Sequence, residues 1–463
     1  MEAREWQDFL SFARSGVFSA HLDTLRFLEE LVVHFPHFYR KDIPDEGLFA
    51  KLYPGQPYRD EQMRTLRKYA LDLLMDFWAW RAWQADPLQP GLSRLRAART
   101  RRLWKMYASE SKKLAGRFQR YPYRDTGWYL ARWQMEETTL EVKVTTESRT
   151  QPVSLAPAQE ALEHFFLINS LGLACSGINQ QELLGVSFQL SDLMKTAISY
   201  CRAHQDTLEP AIAIYFHLYG LLATEQHKQH FIRLKLLLRA SMDILPPSDL
   251  GNIYNQAINY CNRQHRAGEP EYEREMFFLY REMLDLGLLR EGSMLSANHF
   301  KNLVTLGLRL GELEWTEDFI ETYQSQLEGQ YQVAAYTYNK AHLLFYKDEF
   351  GKALRIMQEV EYLDPFYRIS AQMLQLKIYF EQQNIEAFLS LVDAFRTFLR
   401  RRDWPRHRKR SYLNFALLIR ALLMVRISSS DSTALREQIR STNPLIEREW
   451  LLSALDKMTR QTL

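Results

Sequence analysis

Apolar residues recur along this chain at intervals of three and four and almost nowhere in strict alternation, so the pattern predicts helix after helix. Over residues 2–35 the apolar positions Phe9, Phe12, Val17, Leu25, Leu28 and Val32 fit one helical face. His34-Phe35-Pro36-His37 ends that stretch. Residues 41–60 are then turn-rich, with Pro44, Gly47, Pro54, Gly55 and Pro57. A helix opens at Asp60 with Glu61 in its first turn, where exposed N–H groups favour negative charge. It carries Leu66, Leu73, Leu74 and Phe77 to Trp78, Trp80 and Trp83, and Asp86-Pro87 ends it. With Trp104, these tryptophans are expected to build an N-terminal core. One basic helix is expected over 91–119 and another helix from Thr126 to about Lys143. Leu140-Glu-Val-Lys-Val alternates only briefly and reads as a helix end.

From about residue 158 the helices come in pairs. They are expected at 158–175 and 180–203, 208–224 and 226–243, 249–266 and 270–287, 295–310 and 315–327, 331–347 and 350–362, and 367–382 and 385–401. A final group follows over 405–461. Gly268, Pro270, Gly287, Gly292, Gly311, Gly329 and Asp364-Pro365 mark the connections, which are short enough to imply antiparallel neighbours. The polar stretch 145–152, closed by Pro152 and Pro157, is the expected boundary. It would part an N-terminal helical domain at 1–150 from a domain of paired helices at 151–463.

Ala353 and Ala387 lie 34 residues apart (387 − 353), each in the first turn of an expected second helix. A period of that size is what stacked helix pairs leave in a sequence. Within 335–365, Ala341 holds the small position of the first helix, Phe350 opens the second, Ala353 follows three positions on, and Pro365 closes the unit. This pair resembles a tetratricopeptide repeat. The next pair keeps Ala387 and Ala394 but has Asn384 for the aromatic and Leu399 for the proline. The preceding pair offers Trp315 as the aromatic and Asp318 where a small residue belongs. The resemblance implies an all-α fold of antiparallel helix pairs stacked into a right-handed superhelix, preceded by the N-terminal helical region. It also implies that the first helix of each pair lines a concave groove, which makes Asn298, Asn302, Tyr338 and Lys340 the candidate partner-binding residues. An irregular helical bundle is the competing expectation.

Composition agrees with a folded helical chain. Of 463 residues, 46% are hydrophobic and 25% charged, with only 18 Gly and 16 Pro, which suits long helices and short turns. Cys175, Cys201 and Cys261 form no C-x-x-C and are expected to be reduced core thiols of a cytoplasmic protein. No basic-then-apolar leader is visible at the N-terminus. The most apolar run, 412–427, is interrupted by Asn414, Arg420 and Arg426, so a buried helix is expected there and no membrane span.

The net charge of +3 is unevenly spread. Between Arg94 and Arg120 ten basic residues face only Glu110, a local charge of +9 (10 − 1) that leaves −6 (3 − 9) elsewhere. On one continuous helix Leu103, Trp104, Tyr107, Leu114 and Phe118 would share a face, with Arg94, Arg101, Lys105 and Lys112 in line on another. Such a helix can meet phosphates, acidic proteins or anionic lipid, or simply face solvent. A second cluster holds Arg396, Arg400, Arg401, Arg402, Arg406, Arg408, Lys409 and Arg410 against Asp403. Cations favour helix C-termini, which accounts for Arg400 to Arg402 better than for Arg406 to Arg410.

No catalytic constellation interrupts the helical pattern. His227 and His230, with Glu225 nearby, have no evident third and fourth metal ligands, and His34 and His37 merely flank Pro36. Ser109-Glu110-Ser111-Lys112 fits S-x-x-K without its companion motifs, and Gly351-Lys352 lacks the upstream glycine of a phosphate loop. No catalytic residue, cofactor or metal is therefore expected. The turn 52–58, with Tyr53 and Tyr58, is a candidate contact or an end cap. The leading expectation is a non-enzymatic adaptor or scaffold that holds a partner's peptide or helix in a superhelical groove. The alternative is nucleic-acid binding through the basic clusters at 94–120 and 396–410, and an enzyme with an unrecognised site stands third.

Overall fold

The computed structural model describes residues 3–16, 21–35, 44–146, 152–184, 187–223, 227–292, 294–358, 365–401, 406–428 and 432–461. Among these the protein is all-α. Twenty-two α-helices are joined by turns, two short 3-10 segments and one ladder pairing Arg290–Glu291 with Met294–Leu295. The chain packs as two compact units, Met1–Pro246 and Pro247–Leu463. The boundary expected near residue 150 falls on 147–151, outside the described residues.

In the first unit, α1 (Ala3–Arg14), α2 (Leu22–Val32), α3 (Asp45–Leu52) and α4 (Asp60–Ala85) enclose a core that includes Phe9, Phe27, Phe49, Met63 and Phe77. The single helix expected over 2–35 is thus two, and α3 lies inside the stretch expected to be all turn. Tyr53 and Tyr58 of the 52–58 turn pack on Phe49, and the Tyr53 hydroxyl donates to Asp23 at 2.9 Å. The tryptophan core is a correction. Along α4 the buried stripe is Met63, Leu66, Ala70, Leu73 and Phe77. Trp78 and Trp83 lie off that stripe and are exposed, as is Trp104, whereas Trp80 continues the stripe at its edge and packs on Phe12 and Phe77 while still 37% exposed. Helical phase, not aromatic bulk, decides which side chains face inward.

The basic helix expected over 91–119 is also two, α5 (Gln89–Thr100) and α6 (Trp104–Arg120), followed by α7 (Thr126–Thr146). Arg102 takes a left-handed conformation with φ 56°. Its N–H reaches Arg99 O at 2.9 Å, and the Leu103 N–H reaches Ala98 O at 2.9 Å, which closes the helix end. Arg94 and Arg101 therefore do not continue in one line into Lys105 and Lys112. Glycine usually marks such a turn because other residues lose roughly 1 kcal/mol there, so an arginine in its place hid the break. The unit continues through α8 (Ala156–Leu184), which packs along α7, then α9 (Asp192–Ala203), α10 (Pro210–Ala223) and α11 (His227–Ser241).

The second unit runs through α12 (Pro247–Arg266), α13 (Glu271–Asp285), α14 (Ala297–Arg309), α15 (Leu313–Tyr323), α16 (Gly329–Tyr346) and α17 (Phe350–Gln358). It continues with α18 (Pro365–Glu381), α19 (Ile385–Arg401), α20 (Arg406–Ser428), α21 (Thr433–Ser441) and α22 (Arg448–Gln461). Each helix packs on the next. In addition α14 packs on α16, and α16 on α18. Four connections within pairs share one turn. Gly268, Gly311, Asp348 and Gln383 are all left-handed, with φ of 104°, 78°, 59° and 57°. The residue after each sends its N–H back five positions: Glu269 to Gln264, Glu312 to Gly307, Glu349 to Leu344, and Asn384 to Tyr379, at 2.9–3.1 Å. Seven positions before these turns stand Cys261, Val304, Ala341 and Leu376, all fully buried. Five positions after the last three stand Thr316, Ala353 and Phe388, also fully buried. Asp348 and Gln383 are 35 apart (383 − 348), so Phe388 takes the place of Ala353, while Ala387 is only half-buried.

Close approach within a pair is exacting at Gly307, where a Cβ would collide with the buried Thr316 hydroxyl of α15. Gly307→Ala is expected to lower stability by about 1–3 kcal/mol, the usual cost of overpacking. Urea unfolding of the variant checks this, and an unchanged midpoint would show that α14 and α15 can part without cost.

Two helical segments, Ala156–Gln181 and Arg408–Ser428, are long and apolar enough by length and composition to cross a membrane. Each also supplies core. Ile168, Leu171, Ala174 and Cys175 are buried in the first unit, and Phe415, Leu418, Ile419 and Leu422 in the second. Cys175, Cys201 and Cys261 are buried and outside any disulfide, and burial pushes the Cys175 thiol up to about 12 and Cys201 to about 11.

Candidate functional site

The second unit holds a cavity of about 410 Å³. Its wall is built by the first helices of four successive pairs: α12 gives Asn259 and Asn262, α14 gives Lys301, Asn302 and Arg309, α16 gives Tyr338 and His342, and α18 gives Ser370 and Lys377. Glu273 and Tyr280 of α13, Tyr412 of α20, and Ile446 and Glu447 before α22 complete it. On each first helix these positions recur at one or two turns, as 301, 305 and 309 or 338 and 342, so one helical face of each supplies the wall.

The charges are held in fixed pairs. Lys377, 4% exposed, places Nζ 2.6 Å from a Glu447 carboxylate oxygen and 5.3 Å from the centre of the Trp450 ring. Burial disfavours the ammonium and lowers its pKa from the usual lysine range, with Glu447 opposing. Burial would raise the Glu447 carboxyl, but Lys377 and Arg309 bring it down to about 2. The Glu447 carboxylate is therefore ionised at neutral pH. Glu447 holds this place in a left-handed conformation, φ 59°, which a non-glycine residue keeps only when its surroundings demand it. Arg309 reaches Glu273 at 3.3 Å.

Lys301 donates to Ser370 Oγ at 2.8 Å and lies 5.6 and 5.7 Å from the Tyr338 and Tyr367 ring centres. The Asn302 side chain donates to the Tyr280 hydroxyl at 3.1 Å. His342 is buried with no hydrogen-bond partner at Nδ1, and burial lowers its pKa to about 3, so it is neutral. Lys301, Arg309 and Lys377 outnumber Glu273 and Glu447 by one. This wall suits a polar or acidic occupant that supplies the partner His342 lacks.

Of the groove residues expected from the sequence, Asn302 and Tyr338 line the cavity. Asn298, one turn before Asn302, is exposed and outside the wall. Lys340 faces α15, where it pairs with Glu317 at 3.1 Å and Glu321 at 2.7 Å. Two residues on a helix turn through about 200°, so Tyr338 and Lys340 cannot share a face. The charged residues of the wall were missed. Lys377 had one legible signal, a lone lysine among Met373, Leu374, Leu376, Ile378 and Phe380. Its partner Glu447, 70 positions away, had none.

The basic clusters belong to different units. In the first, Arg94 bonds Glu110 at 3.0 Å, Lys113 bonds the same carboxylate at 2.6 Å, and Arg99 pairs with Glu141. Arg101, Lys105 and Lys112 are exposed. In the second, Arg401 is exposed in the last turn of α19, where cations are favoured, and Lys409 reaches the Arg400 carbonyl at 3.3 Å. Arg406, Arg408 and Arg410 are exposed at the start of α20, the end where cations are disfavoured. Arg402 and Asp403 lie outside the described residues.

His230 does not face a metal partner. Its Nδ1 lies 2.9 Å from Nδ1 of His217 on α10. Among the described residues no group of three or more His, Cys, Asp and Glu is placed to hold a metal ion. Glu225 and His37 lie outside the described residues, and Ser109 and Lys112 sit exposed on α6. Comparison with protein-family models, curated proteins and solved structures finds no match to this chain.

Proposed function

We propose that the chain is a non-enzymatic adaptor or scaffold. In this reading the paired helices of the second unit form a right-handed, tetratricopeptide-like superhelix, and its concave side holds an extended peptide or a helix of a partner protein. The observation that carries the reading is the cavity wall, in which the same face of four successive first helices converges on one space. The recurring left-handed turns and the matching buried positions support stacked pairs, which must bury against neighbours what none can bury alone. Fixed charge pairs give the wall orientation and polarity, and the excess of one cation favours an acidic or neutral occupant. Three buried cysteines outside any disulfide fit a reducing, cytoplasmic setting. The step from fold to partner is an inference from architecture.

The test is capture of the tagged chain with its partner from native cells, with and without nuclease, repeated with Tyr338→Ala and Asn302→Ala. The reading expects a stoichiometric protein partner that survives nuclease and is reduced at least tenfold by the two variants together. Partners that vanish with nuclease, and binding that falls steeply with salt, would instead favour a nucleic-acid role for Arg406, Arg408 and Arg410.

A further inference from the structure

The turn between α5 and α6 presents large apolar side chains to solvent. Leu103, Trp104 and Met106 are 43%, 36% and 58% exposed. They stand among Arg101, Arg102 and Lys105, also exposed, none of which forms an ion pair with a described residue. The last turn of α7 arrives at the same end. Trp128 packs on Phe118 near the far end of α6, whereas Thr139 accepts from Tyr107 near its start, so α7 runs back toward the turn. Glu141 is paired with Arg99, and the next residues out are Lys143 and Val144, both exposed. One end of this three-helix layer thus carries four apolar side chains and four cations, while Glu141 in the last turns of α7 is already paired.

We propose that this end docks on an anionic lipid surface. Apolar side chains of this size are normally withdrawn from water, at about 25 cal/mol per Å² of apolar area. The boundary between headgroups and acyl chains accepts Leu, Met and above all Trp, while lysines and arginines beside them reach lipid phosphates. A nucleic-acid backbone would engage the same cations but offers no apolar phase to Leu103, Met106 and Val144. The inference does not depend on what the second unit holds, and it involves no membrane span.

The test is cosedimentation of the full chain with vesicles of phosphatidylcholine alone and of phosphatidylcholine mixed with phosphatidylglycerol. The protein should pellet with the anionic vesicles only, and less at high salt. Arg101→Gln, Arg102→Gln and Lys105→Gln should each weaken binding about fivefold, roughly a hundredfold together. Leu103→Ser with Met106→Ser should weaken it at least tenfold, and serine at 103, the N-cap position of α6, favours that helix start more than leucine does. Circular dichroism should match the parent for every variant. No sedimentation with either vesicle, equal sedimentation with both, or indifference to both sets of variants overturns the proposal. So does binding of a single-stranded RNA through the same cations without vesicle binding, which would assign the surface to nucleic acid.

Discussion

Replacing Lys377 by methionine is expected to destabilise the second unit by about 3–5 kcal/mol, the usual cost of leaving one charge of a buried pair alone. Methionine approximates the lysine stem in volume, so little of the loss is a cavity. The cost is the stranded Glu447 carboxylate, whose partner stood 2.6 Å away. Arg309 remains to attract it, which sets the lower end of the range. Lys377→Met combined with Glu447→Gln should recover much of the loss, because no unpaired charge is left. The pair also sets a pH window. Glu447 is held below its unfolded value near 4.5, so its contribution is present above that value and is lost as pH falls toward about 2. Hydrogen exchange across α18 and α22 in the parent, the single variants and the double variant measures each of these. Equal protection in Lys377→Met and the parent would mean that the pair contributes nothing.

Acid is expected to loosen the first unit at a higher pH than it loosens the Glu447 pair. His217 on α10 and His230 on α11 meet at 2.9 Å. Burial is the first cause lowering both pKa values, and the neighbouring ring adds to it for His217, which falls to about 4. Arg202, His227 and Arg233 are the other charged or titratable groups that oppose protonation there, and the Phe216 ring packs against both imidazoles. A histidine pKa lowered by folding means that the unfolded chain binds the proton more readily. The stability is therefore full above about 6.5 and declines as pH falls through the interval down to about 4. A shift of that size corresponds to roughly 3 kcal/mol. Hydrogen exchange of α10 and α11, corrected for intrinsic rates, should show protection falling between pH 7 and pH 5, and His217→Gln should flatten the change. An identical slope in the variant would remove the histidine contact as its cause. Gly220→Ala should loosen the same helices at every pH, because the added methyl would run into the His230 ring.

The helices were legible because their information is local. Periods of three and four over ten or more residues locate α10 to α19 to within a few positions, and short Gly- and Pro-marked connections show where pairs turn back. The errors arose where a local signal was missing. Arg102 takes a left-handed turn without glycine, which split the expected basic helix. At Trp78 and Trp83 the residue type pointed inward, while the phase set by Met63 to Phe77 pointed outward.

The candidate site was legible only in part. The face rule found Asn302 and Tyr338, which stand on first helices and share the wall. Lys340 stands outside the wall because two acceptor oxygens of α15 and its own helix phase settle that side chain elsewhere, and Asn298 because the wall begins one turn later. The sequence alone determined the helical class and, from α10 to α19, the pairing and the short connections, since backbone hydrogen bonding and amphipathic period act over a few residues, although one helix, α8, runs through the turn expected between 175 and 180. Only the tertiary structure decided that Lys377 meets Glu447, that His217 meets His230, and which cations near Arg101 stay unpaired. Those outcomes depend on contacts between residues distant in the chain, and on the burial that makes an unmet charge costly.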